Sequence, residues 1–256
     1  MSKKGFVTFV NNNEKYIKLN DILVESVLEF TDLNIEVNSI NFDYKHSNPR
    51  VISKKIILNN ECIDTIFYSK IYSSYSSDFE IGLQLDADII VTPDVMNLFN
   101  CIDENYQYIK GPKHPWNGPL TYSHLSIMNY LNVLNQSQPY IHADCYLFTK
   151  NSEPFLKEAY SIGMNMFLND IHPINYDETI LNALLWKNDV KDGFVDCCDP
   201  YYEYFKNNIG MPTGIDCTPP YSTELDFKIN YYVCHGCKNY EESKLIFEKL
   251  KKIYCR

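Results

Sequence analysis

The run Ile81-Gly82-Leu83-Gln84-Leu85-Asp86-Ala87-Asp88-Ile89-Ile90-Val91 constrains this chain more than any other stretch. Ile81, Leu83 and Leu85 alternate with Gly82 and Gln84, the two-residue period of a strand. The strand carries Asp86 and Asp88 near its end, and in an extended chain their side chains point to the same side. Carboxylates that close repel one another. They become tolerable when water screens them or a divalent cation lies between them. Apolar sequence on both sides makes free carboxylates costly here. A cation-binding carboxylate pair at the strand end is therefore favoured over a solvated Asp-x-Asp loop or a cap for the helix that Thr92-Pro93-Asp94 opens.

Elements of both kinds surround this strand. Gly5 to Val10 is a compact β-rich run, closed by Asn11-Asn12-Asn13, of which Asn12 or Asn13 can cap a helix from about Glu14 to Phe30. Ile35 to Phe42 is a second strand, Ile56 to Leu58 a short third, and Cys62 to Tyr72 a helix. Tyr106 to Lys110 and Ala143 to Thr149 are predicted strands. Leu125 to Leu134, Pro154 to Met166 and Glu178 to Lys187 are predicted helices. The Pro- and Tyr-rich stretch from Asp192 to Asp226 is irregular. A last strand at Tyr231 to Cys234 and a helix at Glu241 to Lys252 close the chain. Strand and helix alternate through the first half, which predicts a mixed, mostly parallel α/β sheet flanked by helices. No linker splits the chain, so residues 1–256 are expected to form a single domain. About 1–100 form one half and about 101–256 the other.

Composition excludes several roles. The formal net charge is -10, which repels nucleic acid and anionic membrane surfaces. No run approaches a membrane span, and the apolar segment Gly5 to Val10 is too short for a secretory signal. The nine Cys are odd in number and irregularly spaced, as expected of reduced thiols in an intracellular protein. Cys234-His235-Gly236-Cys237 can be read as a redox dithiol, as half of a zinc site with Cys197-Cys198, or as two incidental thiols. Its place near the C-terminus argues against the first.

Leu85-Asp86-Ala87-Asp88, followed by Val91 and Leu98-Phe99, resembles the metal-binding stretch of nucleotide-sugar glycosyltransferases of the GT-A (Rossmann-like) fold. The closest pattern is glycosyltransferase family 8, the glycogenin-like group. Phe6-Val7-Thr8 with Asn13-Glu14-Lys15-Tyr16 is similar to that family's first strand and nucleotide-binding turn. Lys70 stands where the family carries a basic residue near the donor phosphates and sugar. Asp177-Glu178-Thr179-Ile180-Leu181-Asn182 resembles its Asp-Gln-x-x-Leu-Asn segment, and His235-Gly236-Cys237-Lys238 its His-x-x-Gly-x-x-Lys segment. The segments span residues 6 to 238 in the family's order.

The resemblance implies a metal-dependent transfer of a sugar from a nucleotide diphosphate donor, UDP-linked, to a glycan, protein or small-molecule acceptor, with retention. Asp86, Asp88 and His235 would hold Mn²⁺ or Mg²⁺, since oxygen and imidazole ligands suit these ions better than a thiolate-loving metal. Thr8, Phe9, Asn11, Asn13 and Tyr16 would form the base and ribose pocket. Asp86 and Ala87 would border the donor, with Lys70 and Lys238 beside its phosphates. Asp177 would orient a sugar hydroxyl, stabilise an oxocarbenium-like centre, or act as base in an inverting reaction. Against this stands the plain reading of Asp177 and Glu178 as helix-start acids. Trp116, in a Pro-rich loop, and His142 are candidate acceptor contacts. The departures are specific: His142 and Asp144 replace the Asn and Gly of an Asn-x-Gly segment, and Glu178 replaces Gln. His235 and Gly236 are adjacent, which tightens the phosphate loop. Asp144 can still bind sugar hydroxyls. These departures keep a second class open, a non-catalytic nucleotide-sugar or carbohydrate-binding module. A nucleotidyltransferase, the third, would need a Gly- and Lys/Arg-rich phosphate loop after the first strand, and Asn11-Asn12-Asn13 is not one.

Overall fold

The structure, a computed structural model, describes residues 3–58, 63–113, 127–133, 135–169, 176–195, 233–234 and 239–255. Its centre is a five-stranded sheet. Strand β1 (Lys4–Val10) lies between β2 (Asn34–Ile40) and β4 (Ile81–Leu85), β3 (Val51–Ile56) flanks β2, and β7 (Cys145–Thr149) flanks β4. The first four strands are parallel, and β7 runs antiparallel to β4 with Leu85 opposite Cys145. This is the mixed, mostly parallel sheet that the alternation predicts.

Each face of the sheet buries one hydrophobic cluster. On one face, helix α1 (Glu14–Phe30) packs Leu23, Val24 and Val27 onto Phe6, Val10, Ile35, Val37, Leu83 and Leu85. These positions recur at helical spacing on α1 and at alternate residues on the strands, as two buried faces require. On the other face, helix α2 (Ile63–Tyr75) sets Tyr68 and Ile71 against Val7, Tyr146 and Phe148. Ser69, Ser73 and Ser74 are buried on the same helix. Ser74 Oγ binds Gln84 Oε1 at 3.1 Å and Tyr146 Oη at 2.7 Å, so polar atoms brought inside by β4 and β7 find partners. Helices α3 (Glu153–Leu168) and α4 (Tyr176–Lys187) complete this layer. Gly163 of α3 lets the Tyr68 ring approach so closely that a Cβ there would lie 2.7 Å from it.

The helix ends follow the sequence. Asn13 caps α1, its side chain accepting from Lys15 N–H at 3.0 Å. The C-terminal carbonyls of α1 meet Arg50, whose Nη1 donates to Thr31 O and Nη2 to Leu28 O, both at 2.5 Å. A cation there complements the helix dipole. Past the sheet, β5 (Ile90–Val91) leads through Thr92, in extended conformation, into a 3-10 helix over Pro93–Asn100. Thr92 makes no side-chain capping bond. Two small ribbons lie beside the sheet: β6 (Gly111–Pro112) pairs parallel with β8 (Phe194–Val195) within the second half, and β5 pairs antiparallel with β9 (Val233–Cys234) across the two halves. Helix α5 (Tyr240–Tyr254) carries Phe247 against Phe30 of α1.

Several expected boundaries shift. The strand expected at Ile56 to Leu58 is β3, which ends at Ile56 instead of beginning there. The strand expected over Tyr106 to Lys110 is only a bridge from Lys110 to Leu147 and the two residues of β6. Of the helix expected over Leu125 to Leu134, residues 127–130 are helical, 131–133 leave the helix, and 125, 126 and 134 lie outside the described residues. Among the described residues no helix is long and apolar enough to cross a membrane.

Candidate active site

In a sheet of this topology ligands collect at the carboxyl ends of the strands, where the strand order reverses. Here the reversal lies at β1, which has β2 on one side and β4 on the other. A cavity of about 230 Å³ opens at that point. Phe9, Val10 and Asn11 line it from the end of β1, Tyr16 from α1, and Ile66 and Phe67 from α2. Asp86, Ala87 and Asp88 close it from the turn after β4. The walls are largely apolar and aromatic, with carboxylates at one end. Tyr16 is 40% exposed, and Asn11 Oδ1 is buried with no protein partner.

The carboxylates do not sit on an extended strand, as the alternation suggests. β4 ends at Leu85, and Asp86 to Asp88 form a turn that Ile89 N–H closes on Asp86 O at 3.2 Å. The Asp86 N–H donates to Asp144 O at 2.9 Å, which continues the β4–β7 register and ties the turn to the segment before β7.

Lys70 organises what lies behind the turn. It is 3% exposed, on the face of α2 that meets the sheet. Its Nζ is 2.9 Å from Asp86 Oδ1 and 2.8 Å from Asp177 Oδ2, and it donates to Ala143 O at 3.2 Å. Burial alone would lower the Lys70 pKa, but Asp177, Asp86 and Asp144 hold it well above the usual lysine range. One ammonium does not satisfy them all. Burial raises Asp86 well above the usual carboxylate range, and Asp144, Asp88 and Asp177 add to the effect against the pull of Lys70. Burial likewise raises Asp177. The centre carries a surplus of negative charge.

Helix α4 holds the far side through its first turn and a half. Asp177 reaches Lys70. Glu178 Oε2 accepts from Ala143 N–H at 3.0 Å. Asn182 grips Ile141 in both directions, its Oδ1 accepting from Ile141 N–H at 2.8 Å and its Nδ2 donating to Ile141 O at 2.9 Å. The segment 141–144 is thus held by side chains at one-turn spacing on one helix. His142 Nδ1 lies 3.8 Å from Glu178 Oε2 and 3.9 Å from Asp144 Oδ2. Burial alone would raise the Glu178 pKa, yet His142 and the Ala143 N–H hold it below its ordinary value.

The structure therefore gathers Phe9, Asn11, Tyr16, Lys70, Asp86, Ala87, Asp88, His142, Asp144, Asp177 and Glu178 into one region. Asn13 is at its edge, its side chain spent on capping α1. Thr8 is fully buried within β1 and is not among the residues lining the cavity, because it alternates with Val7 and Phe9. Trp116, His235 and Lys238 lie outside the described residues. Asn182 is the residue that sequence reasoning left without a role. Its signal was its place one turn after Glu178.

A metal site is only partly laid out. Among the described residues no group of three His, Cys, Asp or Glu is arranged to hold a metal ion. Asp86 and Asp88 offer hard oxygen donors on one turn, and the buried Asp86 Oδ1 lies 2.9 Å from Lys70 Nζ, amid the charges of Asp88, Asp144 and Asp177. The antiparallel pairing of Ile90 with Cys234 directs β9 toward the Asp88 end of that turn. The donor set fits a hard divalent cation. Of the Cys-x-x-Cys readings, Cys237 and the pair Cys197-Cys198 lie outside the described residues.

No protein-family model matches the chain, and no curated protein matches it in sequence. Solved structures do match. One is the galactosyltransferase LgtC in complex with donor and acceptor sugar analogues: 14% identity, 97% of this chain and 95% of that one covered, TM-score 0.60. Another is an active-site glutamine-to-glutamate mutant of LgtC, with the same identity and coverage and a TM-score of 0.62. The likeness over nearly the whole of both chains shows the fold, the single-domain GT-A fold of these glycosyltransferases.

Proposed function

We propose that this protein is a metal-dependent glycosyltransferase that moves a sugar from a nucleoside diphosphate, a UDP-sugar, to an acceptor inside the cell. The observation that carries the reading is the cavity at the β1 strand-order reversal. Aromatic and apolar walls lead there to Asp86 and Asp88, with Lys70 and Asp177 directly behind. Tyr16 offers a ring for the base, and the buried Asn11 Oδ1 an acceptor for its N–H. Residues 1–100 supply this nucleotide half, and 101–256 the acceptor half with Trp116 and His142.

Asp86 and Asp88, with His235, would hold Mn²⁺ or Mg²⁺. When bound, the ion would supply Lewis-acid neutralisation of the departing diphosphate. The chain's own residues do the rest. Lys70 holds Asp86 and Asp177 in place, and Lys238 would add positive charge beside the phosphates. Asp177, fixed by Lys70, would orient the sugar or stabilise its developing positive charge. Retention of configuration is the course implied by the sequence resemblance.

A non-catalytic binder of the same fold is the second reading, favoured by the charged His142, Asp144 and Glu178 where the resembled pattern is neutral. Thermal melting with a panel of nucleoside diphosphates and nucleotide sugars, with and without Mn²⁺, tests both. Manganese-dependent stabilisation by one nucleoside diphosphate, lost in Asp88→Asn, is expected. Release of sugar from the stabilising donor then separates enzyme from binder. A protein that no nucleotide stabilises would be neither.

A further inference from the structure

A second cleft, of about 450 Å³, opens at the end of the sheet opposite the candidate active site. Strand β7 leads from one to the other. Cys145 pairs with Leu85 beside the Asp86 turn, Thr149 pairs with Ile81 at the start of β4, and the chain then enters the cleft at Asn151. The strand Cys145–Thr149 alone spans about 16 Å. None of the residues that line the cleft belongs to the candidate active site, and its volume falls within the range of small-molecule sites, about 300–1,000 Å³.

The walls are fixed by their own hydrogen bonds. Thr149 and Ser152 form a capping box on the turn before α3. Thr149 Oγ1 donates to Tyr106 O at 2.6 Å, Ser152 Oγ donates to Tyr108 O, and Asn151 Nδ2 donates to Glu104 O at 3.1 Å. Segment 104–108 is thereby sewn onto the start of α3. The Tyr108 and Phe155 rings meet edge to face at 5.6 Å and make the apolar wall. With them stand three side-chain amides, Gln107, Asn151 and Asn188, and the Glu158 carboxylate. Asn188 Nδ2 is committed to Leu184 O, and Lys187 to Glu158 Oε1, each at 2.9 Å. The Gln107 amide, Asn151 Oδ1, Asn188 Oδ1 and Glu158 Oε2 have no partner among the described residues.

These groups suit hydroxyls and not charge. An amide donates through its nitrogen and accepts through its oxygen, and a carboxylate accepts, which matches hydroxyls that do both. The two rings offer an apolar surface to the C–H face of a pyranose. No cation lines the cleft to meet a phosphate or carboxylate, and Lys187 is spent on Glu158. We propose that the cleft is a second, non-catalytic carbohydrate site, which holds a neutral sugar unit of a glycan. It goes beyond the glycosyltransferase reading and does not depend on it.

The test is saturation-transfer NMR on the full chain. The probes are maltose, cellobiose, lactose and N-acetylglucosamine, with glucose 6-phosphate as the charged comparison. The proteins are the wild type, the double variant Gln107→Ala, Asn188→Ala at two exposed positions, and Asp88→Asn. At least one neutral sugar should bind the wild type and Asp88→Asn alike, and bind the double variant about tenfold or more weakly. Glucose 6-phosphate should bind no better than the neutral sugars. A wild type that takes none of the four, or a double variant that binds them equally well, would overturn the inference. So would a preference for the phosphate, or binding lost in Asp88→Asn. If the double variant does not melt like the wild type, amide-shift mapping on the wild type decides. Shifts clustered at Gln107, Asn151 and Asn188 support the cleft, and shifts at the Asp86 turn overturn it.

Discussion

Lys70 of α2 and Asp177 of α4 meet at 2.8 Å with both side chains less than a tenth exposed. The pair joins the first half of the chain to the second at the point where the chemistry is proposed to occur. Removing one partner of a buried pair strands the other. Lys70→Met, which leaves Asp86 and Asp177 uncompensated, should therefore cost about 3 kcal/mol or more in urea unfolding. Adding Asp86→Asn and Asp177→Asn to that variant should recover most of the loss, a non-additivity that a mutant cycle reads directly.

Acid should expose the role of Glu178. Its folded pKa lies below its ordinary value, so the folded protein holds that proton less tightly than the unfolded chain does. The stability it contributes is present above the unfolded glutamate pKa, about 4.3, and is lost as pH falls through the lower folded value. Glu178→Gln removes this dependence. The fall in melting temperature as pH drops from about 5 to below about 4 should be smaller in the variant than in the wild type. An equal fall in both would show that His142 and the Ala143 N–H do not favour the ionised form.

Tyr16 should matter for binding and hardly at all for folding. It is 40% exposed at the cavity mouth, with Lys15 Nζ 5.2 Å from its ring centroid. Tyr16→Ala should change stability by less than about 0.5 kcal/mol. The affinity for the stabilising nucleotide, measured by calorimetry, should fall about tenfold through lost stacking.

Gly82 sits in the middle of β4, opposite Phe148 of β7, three residues before the strand ends. A Cβ there would lie 2.1 Å from Phe148 Cζ, a ring buried in the core. Gly82→Ala should cost about 1–3 kcal/mol by overpacking, visible as a lower urea midpoint. Phe148→Leu in the same background should restore part of it by freeing that volume.

The parts of this architecture that were legible in the sequence are those with a local cause. Helix α1 begins and ends as the Asn13 cap and the apolar spacing dictate, and the alternation from Ile81 to Leu85 gives β4. The clustering of Lys70, Asp86, Asp144, Asp177 and Glu178 followed from a resemblance of segments, not from any local rule. Missed features depend on contacts distant in the chain. Arg50 caps α1 across a loop, and Asn182 holds Ile141. The Asp86 N–H extends the β4–β7 register onto Asp144 O, and the turn that follows closes from Ile89 N–H to Asp86 O. Burial of Thr8 reflects a strand covered on both faces, and a Thr within an apolar run does not announce that.

The crowd of carboxylates around Lys70 gives the protein an uneven relation between durability and activity. Burial works against the charged forms of Asp86 and Asp177, so these two acids strain the resting fold where Glu178 supports it. A lineage relieved of the proposed work at that centre would be expected to shed these charges early, while keeping the Ser74–Gln84–Tyr146 contacts, which serve the scaffold.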